Sequence, residues 1–300
     1  MLLEPRIKLS PTLTLPCDIA DYWKLRDATA CEISENTQRY ENIFKHHEFD
    51  YENPKSAKTL PFEHLTLLVF EHIEIEGRSM HLGRLQDALF YLDHSLLLGG
   101  LFEERLKRIC SHTAHLGIAV NTFAYADHYR ERFEFREDDL AFLNTLYSKY
   151  YDAFDKSSLR DAARNLRDIA LNSKYVIPNF MSVIEGALTT TDANSDLQNT
   201  ISRKMRYVYE DIFDDLELCK HLEKPDWNKL SIKETDARVV WKQLYHLRSL
   251  IIHGSHPNFG HGELNRIPDF RTAQKILMSG VKALTMLQVE KPEVFGALRI

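Results

Sequence analysis

A chain of 300 residues is long enough for two ordinary domains, and its 44% apolar and 27% charged content is that of a folded globular protein, which excludes wholesale disorder. With only 11 glycines and 10 prolines the sequence is poor in turns, which argues against an all-β fold and for long helices. A net charge of -6 gives no global attraction for a polyanion, so nucleic-acid binding has to come from a local cluster.

Residues 1 to 60 hold Pro5, Pro11, Pro16 and Pro54 around a polar middle and give no clear element. From Leu60 to Glu76 the β-branched and aromatic residues predict one or two strands. Leu85, Leu89, Leu92 and Leu96 then fall close to helical spacing over 83–99, and 115–123 and 132–135 read as further strands. Residues 1–135 are thus expected to form a smaller α+β region, a sensor or partner-binding part with an unidentified regulator, and they contain no catalytic constellation. At Arg136-Glu-Asp-Asp-Leu140 an acidic helix start opens a helical domain over 136–300, with Leu140, Leu143, Leu146 and Tyr150 at helical intervals. Amphipathic segments follow at 159–172, 177–188, 195–218, 234–253 and 271–287, about six helices in all. The fold class expected is therefore mainly α.

The four cysteines, Cys17, Cys31, Cys110 and Cys219, are scattered without a C-x2-C pair, as expected of reduced thiols used for packing. The first residues lack a signal-peptide apolar run, and no later stretch approaches the ~20 apolar residues of a membrane span. A cytoplasmic protein without a membrane segment is the expectation.

Chemistry concentrates in the 234–253 helix. Val240, Leu244, Leu247 and Ile251 form one apolar stripe, while Trp241, Tyr245, Arg248, Ser249 and Ile252, with His253 at the edge, form a second, mixed face. Such a face calls for a cleft or a packing partner. Arg248 and His253 lie about 7.5 Å apart along the axis, close enough to share a phosphate given the reach of an arginine. Gly254 suits a left-handed C-cap that places His253 in the last turn, where carbonyl dipoles favour imidazolium. A histidine that moves protons beside a permanent guanidinium that stabilises phosphorane charge is a workable pair for RNA scission, with no metal and no cofactor required. The plainer reading is that Arg248 pairs with a helix carboxylate and His253 only caps the helix.

The run Leu244-Tyr-His-Leu-Arg-Ser-Leu-Ile-Ile-His-Gly-Ser255 resembles the signature of Apea-like HEPN domains, in which a tyrosine-containing helix ends in Arg-Ser, apolar residues and His-Gly. The segment Ile177-Pro-Asn-Phe-Met-Ser-Val-Ile-Glu-Gly-Ala-Leu188 is similar to the helix before it, with Glu185 at the glutamate position, and Ile201-Ser-Arg-Lys-Met-Arg206 to the helix between. The likeness spans roughly 136–290. It departs at Gly186-Ala187-Leu188, where the helix end is looser and a polar linker follows, as in a diverged member. The resemblance implies a C-terminal HEPN-type helical bundle and a homodimer built through the Arg248/His253 helix. It further implies a metal-independent endoribonuclease leaving 2′,3′-cyclic phosphate ends, often in prokaryotic toxin or antiviral defence systems. By position Arg248 and His253 are the catalytic pair and Ser249 the polar residue within the motif. Read from the residues themselves, Glu185 either orients Arg248 or forms a purely structural buried ion pair, His256 helps bind a phosphate near Arg248, and Tyr245 with Trp241 supplies the dimer contact. Other members of the superfamily are catalytically silent dimerisation or signalling modules.

Arg203, Lys204 and Arg206 are expected to meet an RNA backbone, although Glu210, Asp211, Asp214 and Asp215 close behind make surface pairing an equal alternative. His246, His253, His256 and His261 match no usual zinc spacing, so no metal site is expected.

Overall fold

The computed structural model of the chain describes residues 2–4, 8–9, 13–19, 23–27, 30, 66–70, 85, 87–89, 91–92, 100–103 and 108–110 of its first part. Further along it describes 134–167, 174–189, 196–222 and 237–299. The described residues are mainly helical and divide into two compact units, Met1–Tyr147 and Ser148–Ile300.

In the first unit, β1 (Leu2–Glu4), β3 (Cys17–Ile19), β4 (Trp23–Asp27), β5 (Thr66–Phe70), β6 (Gly100–Glu103) and β7 (Arg108–Cys110) make an antiparallel sheet of order β3-β4-β5-β1-β6-β7. The first strand is interior: Leu2 stands opposite Leu68 on one side and Leu101 on the other. A separate parallel pair joins β2 (Lys8–Leu9) to β8 (Glu134–Phe135). The expected strands at 60–76 and 132–135 thus contain β5 and β8, while 115–123 lies outside the described residues. The strands before residue 30 carry no sequence signal, because runs of two to five residues are too short to display a period. Of the helix expected over 83–99, the described positions within 85–92 are helical and bury Leu85, Ala88, Leu89 and Tyr91.

A long helical run begins where the acidic start predicted it, with α1 (Glu137–Thr145). The Asp139 carboxylate accepts the Arg136 N–H at 2.7 Å, satisfying a donor that the helix leaves open. The run continues through a π-helical turn, Leu146–Tyr150, into α2 (Tyr151–Asp155).

Eight α-helices have their bounds among the described residues, and seven of them, from α2 onward, belong to the second unit. They continue with α3 (Ser158–Arg167), α4 (Val176–Leu188), α5 (Leu197–Tyr207), α6 (Ala237–Ile252), α7 (Phe270–Glu290) and α8 (Pro292–Arg299). Helix α7 is the axis of the bundle: 14 of its 21 residues are buried, as expected of a helix with neighbours on several sides. It packs against α3, α4 and α8, and α6 packs against both α4 and α5.

Two caps fix helix ends. Ser157 Oγ accepts the Arg160 N–H at 3.2 Å and donates to Gln288 Oε1 at 2.6 Å, tying the start of α3 to α7. Asp196 caps α5 by accepting from Asn199 N at 3.2 Å. The segment 195–218, read from sequence as one helix, leaves α geometry after Tyr207 for a π turn, Val208–Ile212, and a 3₁₀ turn, Phe213–Asp215. Helix α8 escaped the sequence reading although Pro292 at its first position is a proper start signal. Among the described residues, no helix is long and apolar enough to cross a membrane.

Candidate functional site

Helix α6 brings its apolar stripe inward as expected: Val240, Leu244, Leu247 and Ile251 are all buried. The mixed face does not stay whole. Trp241 is completely buried and belongs to the core rather than to a cleft or partner contact. Its indole lies over Tyr209 with ring centroids 6.1 Å apart and planes at 21°, and Tyr209 in turn lies over Phe213 at 5.5 Å. The space for the indole exists because residue 280 on α7 is glycine: a Cβ there would stand 2.5 Å from Trp241 Cη2. The Tyr209 hydroxyl donates to Ser279 Oγ at 2.8 Å, so the same stack is pinned to α7 by a partly buried hydrogen bond.

What remains of the mixed face is Tyr245, Arg248 and Ser249, partly buried, and Ile252 and His253, exposed, all at the C-terminal end of α6. That end closes in a Schellman arrangement. Gly254 takes φ +73°, its N–H donates to Ile251 O at 3.1 Å, and the Ser255 N–H reaches back to Leu250 O at 2.8 Å. His253 is therefore the C-cap residue itself, with its N–H on Ser249 O at 3.0 Å and its ring in solvent.

One turn earlier, Arg248 meets Glu185 from α4. Arg248 Nη2 donates to Glu185 Oε2 at 3.3 Å, and Nε stands 3.3 Å from Oε1 without making a hydrogen bond to it. The two side chains are only 26% and 18% exposed, so this is a largely desolvated pair with contacts longer than the ~2.7–2.9 Å usual for charged partners. Burial pushes the Glu185 carboxyl above the ordinary glutamate range, and the guanidinium opposes only part of that rise. The third member is Tyr245, whose ring lies 5.6 Å from the Arg248 guanidinium carbon. Burial raises the Tyr245 phenol, the Glu185 charge adds to the rise, Arg248 opposes it, and Asp196 at the α5 N-cap adds again.

Gln243 and His246 hold the segment after α6 back against it. Gln243 Nε2 donates to Asn265 Oδ1 at 2.7 Å while its Oε1 accepts from Arg266 N at 2.9 Å. His246 Nε2 lies 2.7 Å from Glu263 Oε2. The folded-back segment carries His256 and His261, both exposed. These contacts escaped the sequence reading, since no spacing rule links a helix face to a loop some twenty residues on. Among the described residues, no three His, Cys, Asp or Glu side chains are grouped to hold a metal ion.

The basic cluster on α5 separates into different roles. Lys204 is partly buried and donates from Nζ to Leu188 O at 2.8 Å, capping the C-terminus of α4. Its ammonium sits below the ordinary lysine range, chiefly through burial and then through Arg203. Arg206 Nε pairs with Glu210 Oε2 at 2.6 Å across one helical turn. Arg203 is exposed.

No protein-family model, curated protein or solved structure matches the chain.

Proposed function

We propose that the chain is a HEPN-type endoribonuclease, its C-terminal helices forming the HEPN bundle and its smaller N-terminal α+β region acting as a sensor or partner-binding part. The observation that carries this reading is the end of α6. A buried helix delivers a half-buried, oriented arginine and then, at its C-cap, a solvent-facing histidine held by a left-handed glycine. His253 takes the proton from a ribose 2′-hydroxyl while Arg248 holds the non-bridging oxygens of the adjacent phosphate. The 2′-oxygen attacks phosphorus, the bond to the 5′-oxygen breaks, and the His253 imidazolium returns its proton to that oxygen, which leaves as a hydroxyl, giving a 2′,3′-cyclic phosphate end. No metal or cofactor takes part in this scheme. Two copies meet through the Arg248/His253 helix, where Ile252 is 51% exposed beside Tyr245 and Ser249. Ser249 and His256 lie close enough in sequence to contribute to the phosphate site, and exposed Arg203 to the RNA backbone. The setting we infer is cytoplasmic, in a toxin or antiviral defence context.

The second reading, a catalytically silent dimerisation or signalling module, is favoured by one specific observation, that Arg248 is already paired with Glu185. Purified wild-type and His253→Ala proteins incubated with total RNA and tRNA in EDTA separate the two. Fragments with cyclic-phosphate ends from wild type alone support the nuclease. Intact RNA in both supports the silent module.

A further inference from the structure

Arg248 is charged, mostly buried, and met by Glu185 along its Nε–Nη2 edge, yet the fit is poor: both contacts measure 3.3 Å, and the buried Nε and Oε1 atoms make no hydrogen bond to any described residue. A structural ion pair at this depth ordinarily closes to full hydrogen-bond geometry, because desolvation is otherwise uncompensated. The Tyr245 ring holds the guanidinium from one face, so the arginine is oriented from α6 itself and does not depend on Glu185 alone. Glu185 thus contributes charge more than geometry.

We propose that Glu185 is a competing counter-ion that restrains Arg248 from holding an oxyanion until the carboxylate is neutralised, so that anion binding at Arg248 is coupled to uptake of a proton. The inference rests on the reading of Arg248 as a phosphate-holding residue and adds the control of that site. An oxyanion arriving at the guanidinium brings negative charge into a region of low dielectric beside a carboxylate, where like charges disfavour each other strongly. The carboxyl is the group that gives way: burial already favours its neutral form, and among the described residues its side chain accepts from Arg248 Nη2 alone. On α6, the charged and titratable groups that act on this carboxyl are Arg248 and Tyr245. On α5, Asp196 acts on Tyr245, and Lys204 is engaged with the end of α4. His253, five residues beyond Arg248, is the remaining titratable group on the exposed end of α6.

Sulfate is the suitable probe, since it is tetrahedral and stays doubly charged from pH 5 to pH 8. Titration calorimetry of the full chain with sodium sulfate at pH 5.5 and pH 7.5 reads affinity, and repetition in buffers of different ionisation enthalpy counts protons taken up. The double variant His253→Ala, His256→Ala serves as the background, so that neither exposed imidazole assigned to the phosphate site adds its own proton. In that background the native Glu185 is expected to bind sulfate more tightly at pH 5.5 and to take up protons at pH 7.5. Adding Glu185→Gln is expected to tighten binding at pH 7.5 about tenfold, corresponding to one like charge removed from the site, and to abolish the proton uptake. Equal or weaker binding by the Gln variant, or no proton uptake with native Glu185, overturns the proposal while leaving Arg248 as an anion site. Sulfate binding that survives Arg248→Ala, or is absent from every variant, overturns it together with the phosphate role of Arg248. The proton count needs no substitution at Glu185, so it decides the matter even if the Gln variant folds poorly.

Discussion

Gly280 is where the bundle and the site are most directly linked, and Gly280→Ala tests that link. The added methyl would stand 2.5 Å from Trp241 Cη2 and 3.2 Å from Met205 Cε. Methionine can move aside, but the indole edge cannot, since Trp241 is fully buried and stacked on Tyr209. Overpacking of this kind costs about 1–3 kcal/mol, and a rigid aromatic neighbour places it near 3. Replacing glycine by alanine inside a helix returns about 1 kcal/mol of propensity, which leaves a net loss of about 2 kcal/mol. For a unit of the size of Ser148–Ile300 that is a fall in Tm of about 4–8 °C. Urea unfolding followed by far-UV circular dichroism, on wild type, Gly280→Ala, Trp241→Phe and the double variant, measures it. Phenylalanine lacks the outer six-membered ring, so the double variant should be more stable than the two single losses predict, by about 1 kcal/mol or more. A Gly280→Ala protein as stable as wild type, or strictly additive losses, would refute the account of how α6 is seated.

Four further outcomes follow from the site. His253→Ala should lower RNA cleavage by about 10²–10⁴-fold, the usual share of a general acid–base group, while leaving the unfolding midpoint almost unchanged because the ring is exposed; retained cleavage would remove His253 from the mechanism. Gly254→Ala forces a side chain into a φ of +73° and should cost about 1–2 kcal/mol, with Gly254→Asn milder, as read by thermal unfolding. Arg248→Ala leaves Glu185 buried without its counter-charge and raises its folded-state pKa further. A raised carboxyl pKa contributes stability that is present below the unfolded value, about 4.3, and is lost as pH rises through the folded value, so the variant should match wild type best in acid and fall behind toward neutrality. Adding Glu185→Gln should flatten that pH profile. On α5, Arg203→Ala should reduce the salt slope of RNA binding by about 1, whereas Lys204→Ala should lower the unfolding midpoint through the lost cap on Leu188 O.

The sequence carried the helices of the second unit because their periodicity is local. Val240, Leu244, Leu247 and Ile251 share one stripe on any helical wheel, and all four are buried. Gly254 after His253 announced the left-handed cap, and φ +73° is what such a cap requires. Trp241 was misplaced for an instructive reason: a wheel registers which residues are large but not where a neighbouring helix lacks a side chain, and the indole is core only because residue 280 is glycine. The break of α5 into a π turn was equally hidden, since Val208, Tyr209 and Ile212 remain apolar at intervals that suit a continuing α-helix. Lys204 read as a surface cation because sequence shows charge and not the carbonyl it meets on another helix.

The two readings of the site differ on what an arginine paired with a carboxylate can still do. A guanidinium has five donors in a rigid fork, and Glu185 addresses one edge, Nε and Nη2, leaving Nη1 out of the pair. Geometry therefore does not make the pair and a bound phosphate mutually exclusive; charge does. An ionised Glu185 cancels most of the field that a phosphate would feel, and a neutral one restores it while the Tyr245 ring keeps the guanidinium in place. An enzyme and a silent module built on this helix can then differ by the state of one proton, and a cleavage assay run at a single pH would mistake one for the other. Cleavage measured in EDTA across pH 5–8, on wild type and Glu185→Gln, removes that ambiguity. If the protein cuts RNA through Arg248, the variant should extend activity toward higher pH, and if it does not, neither protein should cleave at any pH in the range.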